Sequence, residues 1–299
     1  MRPANLTQIN EDDVSIILSD WTPIAAPITG GQKVVFPSIY KGKQYALKVI
    51  KINKSDADND EDTEEQIRCE REIGTLLLCD SPYLIKIGPM KMYETKYQGE
   101  DLLFFSEEWI NGYDLLRHLK DHAPINDNSE LIKIGIDISY AIEELWSHHK
   151  IHRDIKPQNI MYSIDEDIYK LLDMGMVYDS TYDSLTKYAF IVGTPGYYSP
   201  EQLQRPKNEL DFRSDLFCLG IVLYQLCTGI HPFFNRDINI IFKNIIELSP
   251  KSPQIINPDI SDKLSNTILR LLKKRPSERY RNCELLRQDL EKSAMGKRR

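Results

Sequence analysis

The chain has 299 residues and a formal net charge of −7, and this length predicts either one large two-lobed unit or two coupled domains. Its 41% hydrophobic and 28% charged residues are typical of a globular protein and exclude a disordered or fibrous chain. Acidic residues outnumber basic ones by 45 to 38, so the bulk charge does not indicate a nucleic-acid or membrane partner.

The cysteines and the apolar runs indicate the cellular compartment of the protein. The five cysteines are an odd number without a Cys-x-x-Cys pair, which argues against a disulfide framework or a zinc site and favours a reducing cytoplasm. Acidic residues precede the first apolar run, "VSIIL", which therefore lacks the basic start of a secretory signal. The run "FCLGIVLYQLC" at 217–227 is too short to span a bilayer and predicts a buried helix. We expect a soluble, cytoplasmic protein.

The first hundred residues predict a small sheet with one packed helix. The runs "QYALKVIK" (44–51) and "DLLFFSEEWI" (101–110) are rich in β-favouring residues, and the second ends at an Asn-Gly turn signal. Between them, from about 63 to 79, apolar residues recur at helical spacing and predict one amphipathic helix.

Beyond Gly112 the pattern changes to long helices, after a linker around 111–114. Asn128 or Ser129 can cap a helix with an apolar stripe that runs to residue 145. "SDLFCLGIVLYQLCTG" predicts a second helix closed by Gly229, and "LSNTILRLLKKR" a third stopped by Pro276.

The acidic run "DADNDEDTEEQI" partly matches a calcium-binding loop. Asp56, Asp58 and Asp60 occupy the first three ligand positions, but Glu61 replaces the required glycine and Ile67 the final glutamate. A solvated loop is therefore the expectation, and calcium binding is not.

Three ordered segments point to phosphoryl transfer: "HKIHRDIKPQNIMY", "LLDMGM" and "GTPGYYSPE". This reaction needs a hydroxyl held in line, metal ions across the phosphates and positive charge on the transferring group. Carboxylate, amide and lysine side chains in these segments can supply all three.

With these motifs the chain resembles the eukaryotic-like (Hanks-type) serine/threonine protein kinase family from about residue 14 to 290. The resemblance of "HRDIKPQN" to the family's catalytic loop implies that Asp154 orients the substrate hydroxyl and accepts its proton. It also implies that Lys156 contacts the γ-phosphate and that Asn159 holds a magnesium ion, while His152 packs structurally.

The later motifs imply further roles by the same resemblance. Asp173 in "DMG" stands where the family has Asp-Phe-Gly and keeps the magnesium-binding carboxylate, with Met174 as a flexible apolar substitute. Glu201 in "SPE" is expected to pair with Arg279. Asp215 resembles the helix aspartate that anchors the catalytic loop.

In the N-terminal part, "YALK" resembles the family's strand motif, which implies that Lys48 contacts the α- and β-phosphates. Its acidic partner is expected at Glu72, with Glu70 as the competitor; two residues apart on a helix, they cannot face the same way.

The resemblance also implies an adenine-binding hinge at Glu108, Trp109 and Ile110, and a ribose contact at Asp114. The position that precedes this hinge, the gatekeeper, is then Glu107, where the family usually has an apolar residue.

The glycine-rich loop of the family is only partly kept in "TGGQKVVF". With Phe36 in the position of the following valine, Thr29 and Val34 replace the outer glycines, and Gly31 with its neighbour Gly30 remains at the centre. A central glycine lets backbone N–H groups approach phosphates. Lys33 is expected at the hairpin tip, where its ammonium can reach the phosphates.

The resemblance implies an α+β, bilobal protein-kinase-like fold with a small antiparallel sheet and one helix in the N-lobe and a mainly helical C-lobe. The expected organisation is an N-terminal extension (1–13), an N-lobe (14–110), a C-lobe (111–290) and a basic tail (291–299). The implied cofactors are ATP and Mg²⁺, and the implied partner is a protein substrate. Neither a sensor segment nor a membrane span is found, so a kinase-only protein is expected.

Two other functions stay open. A pseudokinase that acts as a binding module is favoured by the eroded glycine loop but opposed by the retained lysine, aspartates and Asn159. A small-molecule kinase, such as one for aminoglycosides or choline, shares the lysine and the two aspartates but lacks "GTPGYYSPE". Lys156 and Thr194 favour serine/threonine over tyrosine specificity. Because Arg153 precedes the catalytic aspartate, we expect phosphorylation within 173–201, at Ser184 or Thr186 before Ser180 or Thr181.

Overall fold

The computed structural model divides the chain into two compact units, described here separately. The first comprises Met1–Leu78 and Ile85–Ile110, and the second comprises Cys79–Leu84 and Asn111–Arg299. The residues that the structure describes are 7–30, 33–52, 63–179, 194, 196–204 and 210–294.

An antiparallel sheet forms the centre of the first unit. Its strands follow the spatial order β1-β3-β4-β6-β5, with β2 paired to β3. The strands are β1 (Trp21–Pro23), β2 (Ile28–Gly30), β3 (Lys33–Tyr40), β4 (Lys43–Ile52), β5 (Tyr93–Tyr97) and β6 (Glu100–Glu108). Two-residue turns join β3 to β4 and β5 to β6, and each turn ends in a glycine with positive φ, Gly42 and Gly99. Such turns match the twist of the strands that they connect.

Side-chain alternation gives the sheet two different faces. Leu47, Val49 and Phe104 point to one hydrophobic core together with Phe36. Lys48, Ile50 and Phe105 lie on the other face, because successive side chains of a strand alternate. The apolar residues of this second face pack against the helix α2 (Glu64–Leu78).

A short helix, α1 (Glu11–Ile17), adds to the single helix predicted for the first unit. The Asn10 side chain accepts hydrogen bonds from the Asp12 and Asp13 N–H groups, and the Asp13 carboxylate accepts one from the Asn10 N–H. This reciprocal capping box explains why a helix begins within the predicted extension. The sequence analysis did not predict it, because "VSIIL" is too short to show helical periodicity.

The second unit is mainly helical. It contains α3 (Leu115–His122), α4 (Asn128–Ser147), α5 (Pro200–Gln204), α6 (Arg213–Thr228), α7 (Ile238–Glu247), α8 (Pro253–Ile256), α9 (Asp262–Leu271) and α10 (Cys283–Ala294). Short strand pairs accompany the helices: β7 (Gly112–Asp114) and β10 (Ile168–Leu171) flank β9 (Ile160–Ser163), and β8 (Lys150–Ile151) pairs with β11 (Tyr178–Asp179). The predicted α+β class, with a sheet-based first part and a helical second part, is confirmed.

The predicted helix boundaries differ in two places. Asp127, rather than Asn128 or Ser129, caps α4 by accepting the Ser129 N–H. The helix α9 ends at Leu271, five residues before Pro276, and Pro276 instead begins a separate short 3₁₀ segment.

The apolar segment around 217–227 is the buried helix that the sequence predicts. Nearly all of α6 is buried, and Gly229 ends it with φ 71°, a conformation that glycine adopts without strain. Across the described ranges, none of the helices is both long and apolar enough to pass through a bilayer.

The predicted linker around 111–114 is instead part of β7. A Cβ built on Gly112 would lie 1.7 Å from the carbonyl oxygen of Tyr162 on β9. Glycine is therefore required here by the close approach of two backbones. The acidic run from Asp56 to Glu61 lies outside the described residues, so the expectation about calcium remains untested.

Candidate active site

The first unit holds a buried lysine, Lys48, against α2. Its Nζ lies 3.0 Å from Oε1 of Glu72. Glu72 is fully buried, whereas Glu70, the other candidate partner, is exposed on the opposite side of the helix. The structure therefore pairs Lys48 with Glu72.

Glu107 is a second carboxylate at the same lysine. Its Oε1 lies 2.5 Å from the Lys48 Nζ, because Glu107 and Lys48 occupy the same face of the sheet on the neighbouring strands β6 and β4. Burial raises the pKa of Glu107 to about 7, and the Lys48 charge opposes this rise while the Glu72 charge adds to it. The sequence analysis identified this position as unusual but did not predict the contact with Lys48.

Lys33 completes a group of four charges that we call the Lys48 cluster: Lys33, Lys48, Glu72 and Glu107. The Lys33 ammonium forms an ion pair with Oε2 of Glu72. Both lysines also lie over the Phe105 ring, with the Lys48 Nζ 5.3 Å and the Lys33 Nζ 5.8 Å from its centroid. In this structure the Lys33 ammonium is thus directed at Glu72, rather than out from the hairpin tip.

The β2–β3 hairpin carries the remnant of the glycine-rich loop. Gly30 ends β2 opposite Lys33, and Gly31 lies outside the described residues. Phe36, which was expected in the position of the valine that follows the loop, is fully buried in the core. Val35 is partly exposed and lies opposite Lys48. A register shifted by one residue, with Val35 in that position and Gly30 as the central glycine, therefore fits the structure better.

The proposed hinge follows directly after β6. The Glu108 N–H donates to the Lys86 carbonyl at 2.9 Å, and Oε1 of Glu108 accepts from the Lys86 N–H at 3.0 Å. The Ile110 side chain is buried within the first unit, and Trp109 is half-buried. At this position a ligand would therefore be recognised by the backbone N–H and C=O groups of Ile110 and not by its side chain.

In the second unit, three side chains of the segment 154–159 converge. The Lys156 Nζ donates to Oδ2 of Asp154 at 2.7 Å and to Oγ1 of Thr194 at 2.7 Å. The Asn159 amide donates to the same Asp154 oxygen at 3.0 Å and to the Asp154 carbonyl at 2.9 Å. A buried carboxylate is thus oriented by an amide and a lysine, which is the arrangement expected of a general base.

Asp215 on α6 fixes the backbone that precedes Asp154. Its two carboxylate oxygens accept the N–H groups of His152 and Arg153, at 2.8 and 2.9 Å. Burial raises the pKa of Asp215, and both hydrogen bonds counteract this rise. The buried charge of Asp215 is thus compensated by the backbone N–H groups of the loop that this side chain holds in place.

His152 is a structural residue of the same loop. Nδ1 accepts the Asp154 N–H at 3.2 Å, so the proton of a neutral ring lies on Nε2, which is 3.0 Å from the Leu172 carbonyl. The imidazole therefore links the segments around 154 and 172. This agrees with its predicted packing role.

Asp173 occupies a left-handed backbone position, with φ 61°, which is uncommon for a residue with a Cβ. Its carboxylate accepts the Gly175 N–H at 3.4 Å. Met174 is fully buried, so it fills the apolar position that the family gives to phenylalanine. Carboxylate and amide oxygens, as in Asp173 and Asn159, are suitable ligands for Mg²⁺.

Arg153 also has positive φ, at 65°. Its Nε donates to the Met176 carbonyl at 2.8 Å, and its guanidinium lies 5.2 Å from the centroid of the Tyr178 ring. Ser180, Thr181, Ser184 and Thr186, the predicted phosphorylation sites, lie outside the described residues.

A buried ion pair anchors the last residue of "GTPGYYSPE", Glu201. Nη1 and Nη2 of Arg279 contact Oε1 and Oε2 of Glu201 at 2.6 and 2.9 Å. Ser214 also donates to Glu201, at 2.8 Å. This is the pair that the sequence analysis expected. Asp114, the proposed ribose ligand, caps α3 through the Arg117 N–H at 2.9 Å.

Comparison with known proteins gives a family match over residues 29–290, to the model described as protein kinase domain. The serine/threonine-protein kinase pkn3 of Myxococcus xanthus is 37% identical over 205 residues, which are 65% of this chain and 37% of the relative. A probable serine/threonine-protein kinase of Clostridium acetobutylicum is 29% identical over 281 residues, 93% of this chain and 40% of the relative. The serine/threonine-protein kinase PknB of Mycolicibacterium smegmatis is 30% identical over 251 residues, 83% and 38% of the two chains. The chain thus spans about two fifths of the length of these relatives.

Proposed function

The chain belongs to the protein kinase domain family, and we propose that it transfers the γ-phosphate of Mg-ATP to serine or threonine hydroxyls of a protein substrate. The observation that supports this most directly is the group formed by Asp154, Lys156 and Asn159, held in place by Asp215. The names of the relatives, which are serine/threonine kinases, support the same substrate class.

In the proposed reaction, Asp154 accepts the proton of the substrate hydroxyl as its oxygen bonds to the γ-phosphorus. The bond from that phosphorus to the bridging oxygen breaks, and ADP leaves. Lys156 places positive charge where the transferring group becomes most negative. Thr194, which accepts a hydrogen bond from Lys156, orients this ammonium.

We propose cofactor contacts for each unit by itself. We assign Asn159 and Asp173 to Mg²⁺, which when bound neutralises charge on the phosphates. Lys48, oriented by Glu72, would bind the α- and β-phosphates, and Lys33 with the backbone of Gly30 and Gly31 would bind the remaining phosphate oxygens. The backbone of Glu108 and Ile110 would bind adenine, and Asp114 the ribose.

A phosphate-transfer assay tests this function. Purified protein, radiolabelled ATP, Mg²⁺ and a generic serine/threonine substrate are expected to give labelled product with the parent chain. Loss of a positioned general base typically costs 10²–10⁴-fold in rate, so Asp154→Ala is expected to fall by roughly that factor, and Asp173→Asn to lose magnesium-dependent transfer. Equal rates in the parent and Asp154→Ala would contradict the assignment of Asp154.

We also propose that the chain phosphorylates itself within 173–201, at Ser184 or Thr186. The support is the position of Arg153 directly before Asp154, since an arginine at this place is suited to pair with a phosphate of the segment. Intact-mass measurement before and after incubation with Mg-ATP tests this. An active protein that stays wholly unphosphorylated would contradict it.

The alternatives predict other results. A binding module without catalysis would show no phosphate transfer, and no binding of ATP by the parent chain would favour it. A small-molecule kinase would phosphorylate aminoglycosides or choline but no protein. The buried Glu201–Arg279 pair, which anchors the end of "GTPGYYSPE", favours a protein substrate. We further propose a cytoplasmic location.

A further inference from the structure

The Lys48 cluster contains one carboxylate more than phosphate binding requires. Glu72 contacts both lysines, since its Oε1 lies 3.0 Å from the Lys48 Nζ and its Oε2 pairs with Lys33. Glu107 nevertheless makes a shorter contact with Lys48 than Glu72 does, at 2.5 Å. Its side chain is only 4% exposed, so this contact is little weakened by solvent.

We propose that Glu107 is a positioning residue for Lys48: its carboxylate holds the lysine ammonium in the ligand-free protein and competes for it with the phosphates of the nucleotide. This inference rests on the proposed function, because it assumes that Lys48 binds ATP.

The geometry of the sheet supports a direct competition. Glu107, Lys48 and Lys33 all point to the α2 face, because Glu107 pairs with the residue two before Lys48 and Lys33 with the residue two after it, and side chains two apart on a strand share a face. An ammonium has three donors, and in this structure carboxylates of Glu72 and Glu107 take two of them. A phosphate group that approaches Lys48 therefore meets a negative charge at short range, unless Glu107 is protonated or moves away.

Protonation links this competition to pH. The charged groups that act on Glu107 are Lys48 on β4, Glu72 on α2 and Lys33 on β3. Burial and the Glu72 charge raise the pKa of Glu107 to about 7 against the opposing charges of Lys48 and Lys33, so the carboxyl gains a proton as the pH falls from 8 to 6. If ATP binds better when Glu107 is neutral, binding takes up a proton, and affinity falls by up to about tenfold per pH unit above that pKa.

The first test measures equilibrium binding of Mg-ATP at pH 6 and pH 8 with saturating Mg²⁺. We expect the Kd of the parent to rise roughly tenfold between these pH values. For Glu107→Gln, which keeps the shape but not the charge, we expect a Kd that changes little with pH and is several-fold below the parent value at pH 8. Adenosine, which has no phosphates, is expected to bind the parent equally at both pH values.

The matched control is Glu100→Gln. Glu100 also lies on β6 and also pairs with a lysine of β4, Lys51, at 2.8 Å, but it is partly exposed and outside the Lys48 cluster. We expect this variant to keep the parent's Kd for Mg-ATP at both pH values. Identical Kd values and pH profiles in the parent and Glu107→Gln would overturn the proposal and leave Glu107 a purely structural residue.

A second measurement does not depend on ATP and therefore separates failure of this inference from failure of the proposed function. Lysine acetylation by acetic anhydride, followed by peptide mass spectrometry, reports how strongly each ammonium is held in its protonated form. We expect Lys48 to be acetylated several-fold faster in Glu107→Gln than in the parent, and equally fast in Glu100→Gln and the parent. Equal Lys48 rates in all three would overturn the proposal even in a protein that transfers phosphate. Faster Lys48 acetylation without any ATP binding would instead count against the proposed function alone.

Discussion

His231 is a buried imidazole in the second unit that lies apart from the residues proposed for catalysis. Its Nδ1 accepts the Phe233 N–H at 3.1 Å, and the Tyr197 ring contacts it edge-on at 5.1 Å between centroids. Burial lowers the pKa of His231 to about 4. The folded state therefore keeps this ring neutral at pH values where an unfolded chain would protonate it.

The pH dependence of stability follows from this shift. Because the folded pKa lies below the ordinary value of about 6.5, the unfolded state binds more protons between pH 6.5 and pH 4, and stability is lost as the pH falls through this window. We expect His231→Asn, which can keep an acceptor for the Phe233 N–H, to reduce the loss of unfolding free energy between pH 7 and pH 5 by about 2 kcal/mol. Urea unfolding at both pH values measures this. The control is the exposed His122→Asn, and an unchanged pH dependence in His231→Asn would contradict the prediction.

Lys33 gives a second prediction at this scale. A partly exposed charge–phosphate contact is worth on the order of 1 kcal/mol, so Lys33→Ala is expected to raise the KM for ATP several-fold and to leave adenosine affinity nearly unchanged. Because Lys33 also pairs with Glu72, steady-state kinetics should be accompanied by an unfolding measurement. Equal ATP kinetics in both proteins would remove Lys33 from phosphate binding.

The sequence alone predicts the role of some residues but not the contacts of others. His152, Asp154 and Asn159 lie within eight consecutive positions, so their motif is visible in the sequence alone. The Lys48–Glu107 contact joins residues 59 positions apart and depends on the pairing of β4 with β6, which no local pattern specifies. Burial is likewise a property of the fold, and it shows that Phe36 is in the core while Val35 is not.

At the scale of elements, two glycines in different settings predict opposite effects of the same substitution. Gly74 lies on the exposed side of α2 and a Cβ built there meets no atom within 4 Å, so Gly74→Ala is expected to stabilise the protein by about 1 kcal/mol through helix propensity. Gly112→Ala would force β7 and β9 apart, since its Cβ would overlap the Tyr162 carbonyl. We expect a loss of about 3 kcal/mol. Chemical unfolding of both variants measures this, and a Gly112→Ala protein as stable as the parent would contradict the close approach.

Element types were predicted better than element ends. Long periodic segments such as α2 and α6 were recognised because an apolar face has to be repeated along a helix to be buried. The start of α4 was misplaced by one or two residues, because Asp127, Asn128 and Ser129 are all good caps by type. Only the structure shows that the side-chain oxygen of Asp127 accepts a hydrogen bond from an N–H group in the first turn of α4.

At the scale of the whole molecule, Glu201 and Arg279 join segments 78 residues apart. The Arg279 guanidinium also donates to the carbonyls of Lys273, Arg213 and Lys274. A lysine has no fork to replace these bonds, so Arg279→Lys leaves a buried carboxylate poorly paired. We expect a loss of about 3–5 kcal/mol in unfolding free energy.

The control for this pair is Lys243→Ala. Lys243 and Glu247 form an exposed pair on α7, with side chains 69% and 64% exposed, and its removal is expected to change stability by less than about 0.5 kcal/mol. Chemical denaturation of the two variants compares a buried with an exposed ion pair in one chain. Similar losses in both would contradict the structural role of Arg279.

The Lys48 cluster has a consequence for how this chain can evolve. Buried ion pairs are held at a cost in desolvation, and apolar replacements of similar volume often leave a protein as stable or 1–4 kcal/mol more stable. With Glu107 ionised, the four side chains carry no net charge, so they could be replaced together without leaving an uncompensated ion. Replacements that raise stability at the Lys48 cluster would therefore remove the lysines proposed to bind phosphate. A lineage released from selection for catalysis would gain stability by replacing all four side chains together, whereas losing one of them first would leave a buried ion unpaired and cost stability.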